Sequence, residues 1–427
     1  MFKTFVNAWK IADIRKKIIF TLIVVLLYRV GNAVPVPFVN VDLLQQYFTQ
    51  FNNTILGLYN VMSGGAFSSA TIFALSIQPY INASIIMQLL CVAIPALERM
   101  SKDEGEEGKK KIASITRYAT VAIGLLQGFA YYVMIRNYGV LSEQTVWSGL
   151  VIVLTFTAGS ALIMWLGEQI TEFGIGNGIS IILFASIVSR FPNAVITSVS
   201  NISGGTLHWW AAVLELLGAL VMIVLIVFVN DAERRIPVQY TKRVVGRKMY
   251  GGQSTHLPMK VNMSGVMPII FAQSIASLPA TIVAFIKTPT EGTFAYYITQ
   301  TNTWLYVIVY ALLIVFFGYF YATIQFNPIE ISNNLRKNGG FIPGYRPGKP
   351  TSEFIQRVLN KITLFGSLYL CIIAAAPYII SIYSNVASQV GLSLGGTSII
   401  IVVGVALETA QALESQMLMR HYKGFLD

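Results

Sequence analysis

Apolar residues run along this chain in long, nearly uncharged stretches that are separated by polar segments. Ten stretches are about twenty residues long, the length that a helix needs to cross a bilayer. They lie near residues 18–34, 72–97, 113–135, 148–167, 179–199, 211–229, 264–286, 303–325, 361–383 and 397–417. The pattern predicts an all-α polytopic membrane protein with ten transmembrane helices.

Composition supports this class. The 427 residues are 55% hydrophobic and only 11% charged, whereas soluble domains carry about a quarter charged residues. The two cysteines, Cys91 and Cys371, lie inside apolar stretches, so neither a disulfide framework nor a metal site is indicated.

Basic residues segregate when the loops are assigned alternately to the two sides of the membrane. Of the 30 Lys and Arg residues, 26 fall on one side and four, Arg29, Arg136, Arg190 and Lys287, on the other. By the positive-inside rule both termini are cytoplasmic. The net charge of +11 therefore needs no nucleic-acid partner to explain it.

The segment before the second span is rich in Gly, Ser and Ala. Gly64 and Gly65 permit a bent backbone, and Ser68 and Ser69 offer hydroxyls to free backbone groups. A spanning helix is expected only after Ala70. Irregular backbone at membrane depth is tolerated where protein buries it or water reaches it, so we expect this segment to border an internal cavity.

Two side-chain stripes follow on the second span. Gln78 and Asn82 are four residues apart, and Ile77 and Ile81 lie beside them at the same spacing. An amide stripe that faced lipid would be costly, so this face is expected to point inward. Aliphatic residues are placed similarly in three other spans: Ile179 and Leu183, Ile269 and Ile270, and Ile399 to Ile401. Spacing alone favours ordinary helix packing for all of them.

The ten spans divide into two sets of five near residues 201–208. An odd number of spans in each half gives the halves opposite orientations, as in an inverted repeat. We therefore expect an N-terminal half, 1–205, and a C-terminal half, 206–427. The second half carries two long cytoplasmic loops, about 230–262 and 326–360, that mix basic, aromatic, Gly and Pro residues. Such loops suit docking of a partner.

Two other classes of protein, secondary transporters and membrane enzymes, fit the sequence less well. The middle of the spans is uncharged, which disfavours a secondary transporter, and His208, His256 and His421 are scattered without a carboxylate constellation, which disfavours a membrane enzyme. No phosphate-binding loop supplies an energy source. If the chain moves a substrate, a partner must therefore drive the transport.

Five motifs resemble the SecY/Sec61 alpha family in the same order and over essentially the whole chain. They are SGGAFSSATIFALSIQPYINASIIMQLL, WLGEQITEFGIGNGISI, GGQSTHLPMKVNMSGVMPIIFA, FNPIEISNNLRKNGGFIPGYRPG and GGTSIIIVV. The resemblance implies two inverted, pseudo-symmetric five-helix halves that form an hourglass pore with a plug and a lateral gate. It also implies no cofactor and no enzymatic activity. The leading interpretation is therefore a passive protein-conducting channel that cytosolic partners drive.

The resemblance also assigns residues. A collar of six aliphatic side chains would close the pore: Ile77, Ile81, Ile179, Leu183, Ile270 and Ile401. Leu183 stands where other members carry Ile, and this change keeps volume and polarity. The plug would span about 56–69, with Ser63, Gly64, Gly65, Ala66, Phe67, Ser68 and Ser69 at its centre. The lateral gate between the second and seventh spans, flanked by the third and eighth, would include Gln78, Asn82, Ile85, Gln273 and Ser274.

Partners follow from the resemblance too. Arg243, Arg247, Lys248 and Arg346 would contact the SecA ATPase or the ribosome, with ribosomal RNA the only nucleic acid expected there. The small membrane subunits SecE and SecG, signal peptides, nascent chains and anionic lipids are further expected partners. The expected location is the bacterial plasma membrane.

Overall fold

The chain is described from a computed structural model. It covers residues 2–48, 54–102, 104–205, 208–240, 243–245, 248–250, 254–263, 265–286, 297, 300–301, 303–383 and 396–423.

The first half of the chain is helical. Its helices are α1 (Phe2–Lys10), α2 (Ala12–Gly31), α3 (Val41–Phe48), α4 (Ile55–Met62), α5 (Gln78–Ala93), α6 (Pro95–Lys102), α7 (Gly105–Asn137), α8 (Val146–Phe173), α9 (Gly178–Val188) and α10 (Phe191–Ser203).

The second half combines helices with short strands. In chain order they are α11 (Trp209–Asp231), β1 (Glu233–Tyr240), β2 (Arg243–Val245), β3 (Lys248–Tyr250), β4 (Ser254–Lys260), α12 (Met267–Ile286), α13 (Trp304–Gln325), α14 (Pro328–Lys337), β5 (Gly340–Phe341), α15 (Lys349–Tyr383) and α16 (Gly396–Lys423).

Each of the ten predicted spans coincides with a helix or a pair of helices. Within the described residues, seven spans are long and apolar enough to cross a membrane, and the bent pair α5 and α6 adds an eighth. The first predicted span coincides with α2, whose first turns carry Asp13, Arg15, Lys16 and Lys17. The seventh coincides with α12, in which Met267–Pro279 is a shorter apolar helix.

The second span differs from the prediction at both ends. Turns occupy residues 63–70 and 72–77, and α5 begins only at Gln78, with Pro79 in its first turn. At the other end the chain bends by 106° between α5 and α6. Ile94 at this break is extended (φ −108°, ψ 113°) because Pro95 follows it. The expected continuous helix from Ala70 to residue 97 is therefore wrong.

Two other spans differ in extent. The fifth is divided into α9 and α10 at Ser189 and Arg190, just before Pro192. The ninth begins at Lys349 rather than near residue 361, so much of the second long loop is helical.

The two long loops form a small β structure that the all-α expectation omitted. β1 pairs antiparallel with β4 from Glu233↔Lys260 to Gln239↔Ser254, and β5 of the other loop pairs with β1 through Gln239↔Phe341. β2 and β3 form a separate hairpin. Buried side chains from both loops and the adjoining helices share one core: Ile236, Val238, Met259, Ala322, Ile342, Ile355 and Leu359. The two loops are therefore one structural unit.

Candidate functional site

The segment 63–69 follows α4 as a series of turns that its own side chains hold together. Asn60 Oδ1 accepts from the Ser68 amide at 3.0 Å, and Ser63 Oγ accepts from the Phe67 amide at 3.0 Å. Gly64 and Gly65 have φ of 69° and 92°, a region that suits glycine. The bend predicted from Gly and Ser is thus present, with Asn60 as an additional anchor that the sequence did not suggest.

Phe67 fixes this segment to the first half. Its ring is 95% buried and stacks on Tyr131 of α7 with centroids 4.4 Å apart, and Phe48 of α3 meets its edge at 5.3 Å. The Tyr131 hydroxyl donates to the Phe67 carbonyl. Because Phe67 takes part in both an aromatic stack and a buried hydrogen bond, the segment is held in a defined position.

The carbonyl of Ser63 is the second anchor. Asn32 Nδ2 donates to it at 3.3 Å and Tyr28 Oη at 3.5 Å, and the Tyr28 hydroxyl also bonds Ser186 Oγ of α9 at 2.7 Å. Tyr59 of α4 bonds Ser277 of α12 through their hydroxyls at 3.0 Å. Hydrogen bonds therefore connect α4 and the following segment to α2, α9 and α12.

The six collar residues come from four places in the chain. Ile77 is the N-cap of α5 and its carbonyl accepts from the Ile81 amide at 3.1 Å; Ile179 and Leu183 lie in α9, Ile270 in α12 and Ile401 in α16. Five are buried members of one apolar cluster, and the half-buried Ile179 packs against it. The cluster contains many other residues, among them Tyr28, Tyr310 and Phe317.

Met62, the last residue of α4, connects the two predicted gate helices. Its sulfur accepts from Gln78 Nε2 of α5 and from Gln273 Nε2 of α12, each at 3.1 Å. Thioether sulfur is a weak acceptor. Sequence reasoning identified both amides and missed Met62, since nothing in the local pattern links this residue to a helix 200 positions away.

The remaining polar atoms of this cluster are poorly satisfied. Gln78 Oε1, Asn82 Nδ2, Gln273 Oε1 and Ser274 Oγ are buried and have no hydrogen-bond partner within the described part of the chain. Ile85, one turn beyond Asn82, is 98% buried beside them. α5 and α12 are in contact, and α12 also touches α4 and α7. The contact between α5 and α12 is thus apolar packing around polar groups that are not fully paired.

Of the four predicted docking residues, two lie in the β2 and β3 hairpin and a third follows β5. Arg243 is in β2 and Lys248 in β3, where Val245 is opposite Lys248; Arg247 lies outside the described residues. Arg346 is exposed, and its carbonyl accepts from Thr351 Oγ1 at 2.7 Å. Over the residues that the structure describes, His, Cys, Asp and Glu form no group that would hold a metal ion.

Known proteins match this chain in sequence. A sequence model described as SecY matches residues 71–410. The protein translocase subunit SecY of Streptomyces scabiei is 44% identical over 100% of both chains, and that of Mycobacterium bovis is 42% identical with the same coverage.

Solved structures match it in fold. A protein-conducting channel superposes with a TM-score of 0.66 at 18% identity, over 95% of this chain and 93% of that chain. A SecY structure whose plug domain is described as stabilising the closed state gives 0.68 at 17%, over 95% and 92%. Sec61 from a canine ribosome-channel complex gives 0.61 at 17%, over 95% and 93%. At these identities the likeness is one of fold.

Proposed function

Because the chain belongs to the SecY family, we propose that it forms the pore of a protein-conducting channel. It is a passive conduit for the secretion of unfolded preproteins and for the lateral insertion of transmembrane segments. The observation that carries this proposal is the convergence of six aliphatic side chains from α5, α9, α12 and α16 on one buried cluster. Such a collar offers no hydrogen bonds to water or ions, yet it can deform around a peptide of any sequence.

We propose that the segment 63–69 is the plug above this collar. Its burial, its Phe67 stacking and the two donors to the Ser63 carbonyl support a seated position. These anchors are few and most are neutral hydrogen bonds worth about 1 kcal/mol each. A translocating chain can therefore displace the segment without unfolding the helices around it.

We propose that α5 and α12 form the lateral gate. The proposed gate residues are Gln78, Asn82 and Ile85 of α5 and Gln273 and Ser274 of α12. In support, the amides of Gln78 and Gln273 share one sulfur, and several polar atoms of this set have no described partner. Separating these helices exposes groups that gain hydrogen bonds elsewhere, so the opening cost is reduced. A signal peptide inserted there offers apolar side chains to replace the lost packing.

We propose that the β unit and its basic residues form the cytoplasmic docking surface. Ribosome-bound channels share this fold, which supports a ribosome partner. The SecA ATPase would use the same residues, Arg243, Arg247, Lys248 and Arg346, and SecE and SecG would complete the membrane complex. The charge bias supports cytoplasmic termini in a bacterial plasma membrane, with halves 1–205 and 206–427.

The proposal is tested by crosslinking a translocating chain to single cysteines in the channel. Cys91 and Cys371 are first replaced by Ser, and single cysteines are then placed at Ile81, Ile270 or the control position Leu214, which is 64% exposed on α11. A preprotein arrested in the reconstituted complex, with one cysteine in its middle, should crosslink to positions 81 and 270 and not to 214. Equal crosslinking at all three positions would contradict a pore at the collar.

A further inference from the structure

A partly open cavity of about 300 Å³ lies beside the segment 63–69, away from the collar. Its walls come from the end of α2, from α3, from the segment itself and from the junction of α9 and α10. Ten residues line it; none is acidic, and two, Arg29 and Arg190, are arginines. The volume is at the lower end of the range for small-ligand sites, roughly 300–1,000 Å³.

The two arginines are unusual in where they lie and in how they are paired. Only four of the 30 basic residues fall on the side of the membrane opposite the termini, and two of those four meet in this cavity. Arg29 Nη1 donates to Ser189 Oγ at 2.8 Å. Among the described residues neither arginine forms an ion pair. Two half-buried guanidinium groups without a carboxylate are a costly arrangement unless an anion offsets them.

The floor of the cavity is the segment 63–69. A Cβ at Gly64 would lie 3.2 Å from Arg29 Nη1, while Gly65 faces open space. Ser69 Oγ accepts from Gln45 Nε2 of α3 at 3.1 Å. The two arginines and four residues of the segment, Gly64, Gly65, Ser68 and Ser69, therefore line the same cavity.

We propose that this cavity binds a phosphate-class oxyanion through Arg29 and Arg190, and that the bound anion holds the segment 63–69 in its seat. The guanidinium fork matches phosphate oxygens in pairs, and Ser68, Ser69 and Asn193 add neutral polar contacts at the rim. The binding stands alone; the effect on the segment rests on the proposed plug role.

Two sources supply this chemistry: the head group of an anionic phospholipid and free phosphate. α2 and α10 carry exposed apolar side chains next to the cavity, such as Val30 at 57% and Ile196 at 66% exposure. Acyl chains could lie along these faces with the phosphate between the arginines. Free phosphate would enter from the open side.

The test measures binding and segment opening separately on the purified full chain. Binding of radiolabelled inorganic phosphate is measured in phosphatidylcholine nanodiscs. Hydrogen exchange of the Phe67 and Ser68 amides is then measured in three conditions. The first is phosphatidylcholine discs with phosphate. The other two use phosphate-free buffer, with and without phosphatidylglycerol in the discs. At ten times the Kd, exchange should slow about tenfold. If only phosphate slows the exchange, the ligand is free phosphate. If only phosphatidylglycerol slows it, the ligand is a lipid head group.

Variants decide the assignment. Arg29→Gln with Arg190→Gln should abolish both effects, and Arg190→Lys, which keeps the charge but loses the fork, should weaken them. Arg136→Gln, an exposed arginine on the same side of the membrane, is the matched control and should behave as wild type. Equal protection in the double variant, or neither phosphate binding nor protection in any arm, overturns the site even if the protein translocates normally. Bound phosphate with unchanged exchange overturns the coupling to the segment.

Discussion

Two helix interfaces in this molecule are built from different side chains, one between α7 and α8 and the other between α5 and α12. Between α7 and α8, glycines allow close approach: a Cβ at Gly149 would meet the Tyr132 ring at 2.7 Å, and one at Gly128 would meet the Val153 carbonyl at 3.3 Å. Tyr131 and Phe156 pack with centroids 4.9 Å apart. Small residues and interlocked rings favour permanent association in a membrane.

Neither α5 nor α12 contains a glycine, and their interface instead contains amides. Gln78 and Gln273 share the Met62 sulfur, and their own oxygens have no described partner. Hydrocarbon surrounds the helices in either arrangement, so apolar contact alone gives little preference for the closed one. The comparison predicts that the first interface is permanent, while the second, the proposed lateral gate, opens at low cost.

The largest effect is expected from overfilling the first interface. Gly149→Leu should lower the free energy of unfolding by about 1–3 kcal/mol, because the added side chain would run into the buried ring of Tyr132. The measurement is the thermal unfolding midpoint of the purified full chain in detergent. Gly218→Leu on α11 is the control, since a Cβ there meets nothing within 4 Å. Similar loss in both variants would mean that the α7 and α8 contact is not special.

The second prediction tests whether the interface between α5 and α12, which we propose opens, borders the barrier to ion permeation. Ile270→Ser on α12 places a hydroxyl in the proposed collar, where the Ile side chain is 98% buried. If about 1.4 kcal/mol of the barrier is lost, resting ion conductance rises about tenfold. Planar-bilayer recording is the measurement. Ile282→Ser on the same helix, 57% exposed, should leave the current unchanged, and a leak in this control alone would place the barrier elsewhere.

The third prediction concerns the amides themselves. Gln273→Leu or Gln78→Leu removes a buried, half-satisfied amide and should favour contact between α5 and α12 by about 1 kcal/mol, a factor of about five. Secretion of a reporter with a weak signal sequence should fall by that factor, while one with a strong signal should change little. Gln144→Leu is the control, because Gln144 is an exposed amide between α7 and α8. If weak and strong signals respond alike, the amides do not set the gate equilibrium.

Much of this architecture could be predicted because it depends on composition. Membrane-length apolar runs require helices, so all ten spans were found and the fold class was confirmed by the related channels. Gln78, Asn82 and Gln273 were also predictable, since an amide stripe on a spanning helix must face inward. The collar, plug and docking assignments came from the family resemblance and stay predictions.

The parts that could not be predicted depend on contacts between distant residues. Tyr131 stacks on Phe67 and Met62 contacts Gln273, and no local pattern pairs these positions. The pairing of β5 with β1 joins two loops that are separated by α12 and α13. Pro95 is a sequence signal for the break at Ile94. The apolar run continues past Pro95, however, so the pattern predicted an unbroken helix.

The smallest effect, and the most specific, is expected at Met62. Met62→Leu keeps volume and removes the acceptor that Gln78 and Gln273 share, so stability should change by less than about 1.5 kcal/mol. The sulfur stabilises the contact between α5 and α12, and without it the two amides are worse satisfied. Acceptance of weak signals should therefore rise slightly in this variant.

A double-mutant cycle with Gln273→Leu separates the direct contact between Met62 and Gln273 from general packing. The two substitutions should be non-additive in the weak-signal assay, whereas Met62→Leu combined with Gln144→Leu should be additive. Additivity in both cycles would show that the sulfur and the Gln273 amide do not act on the gate together.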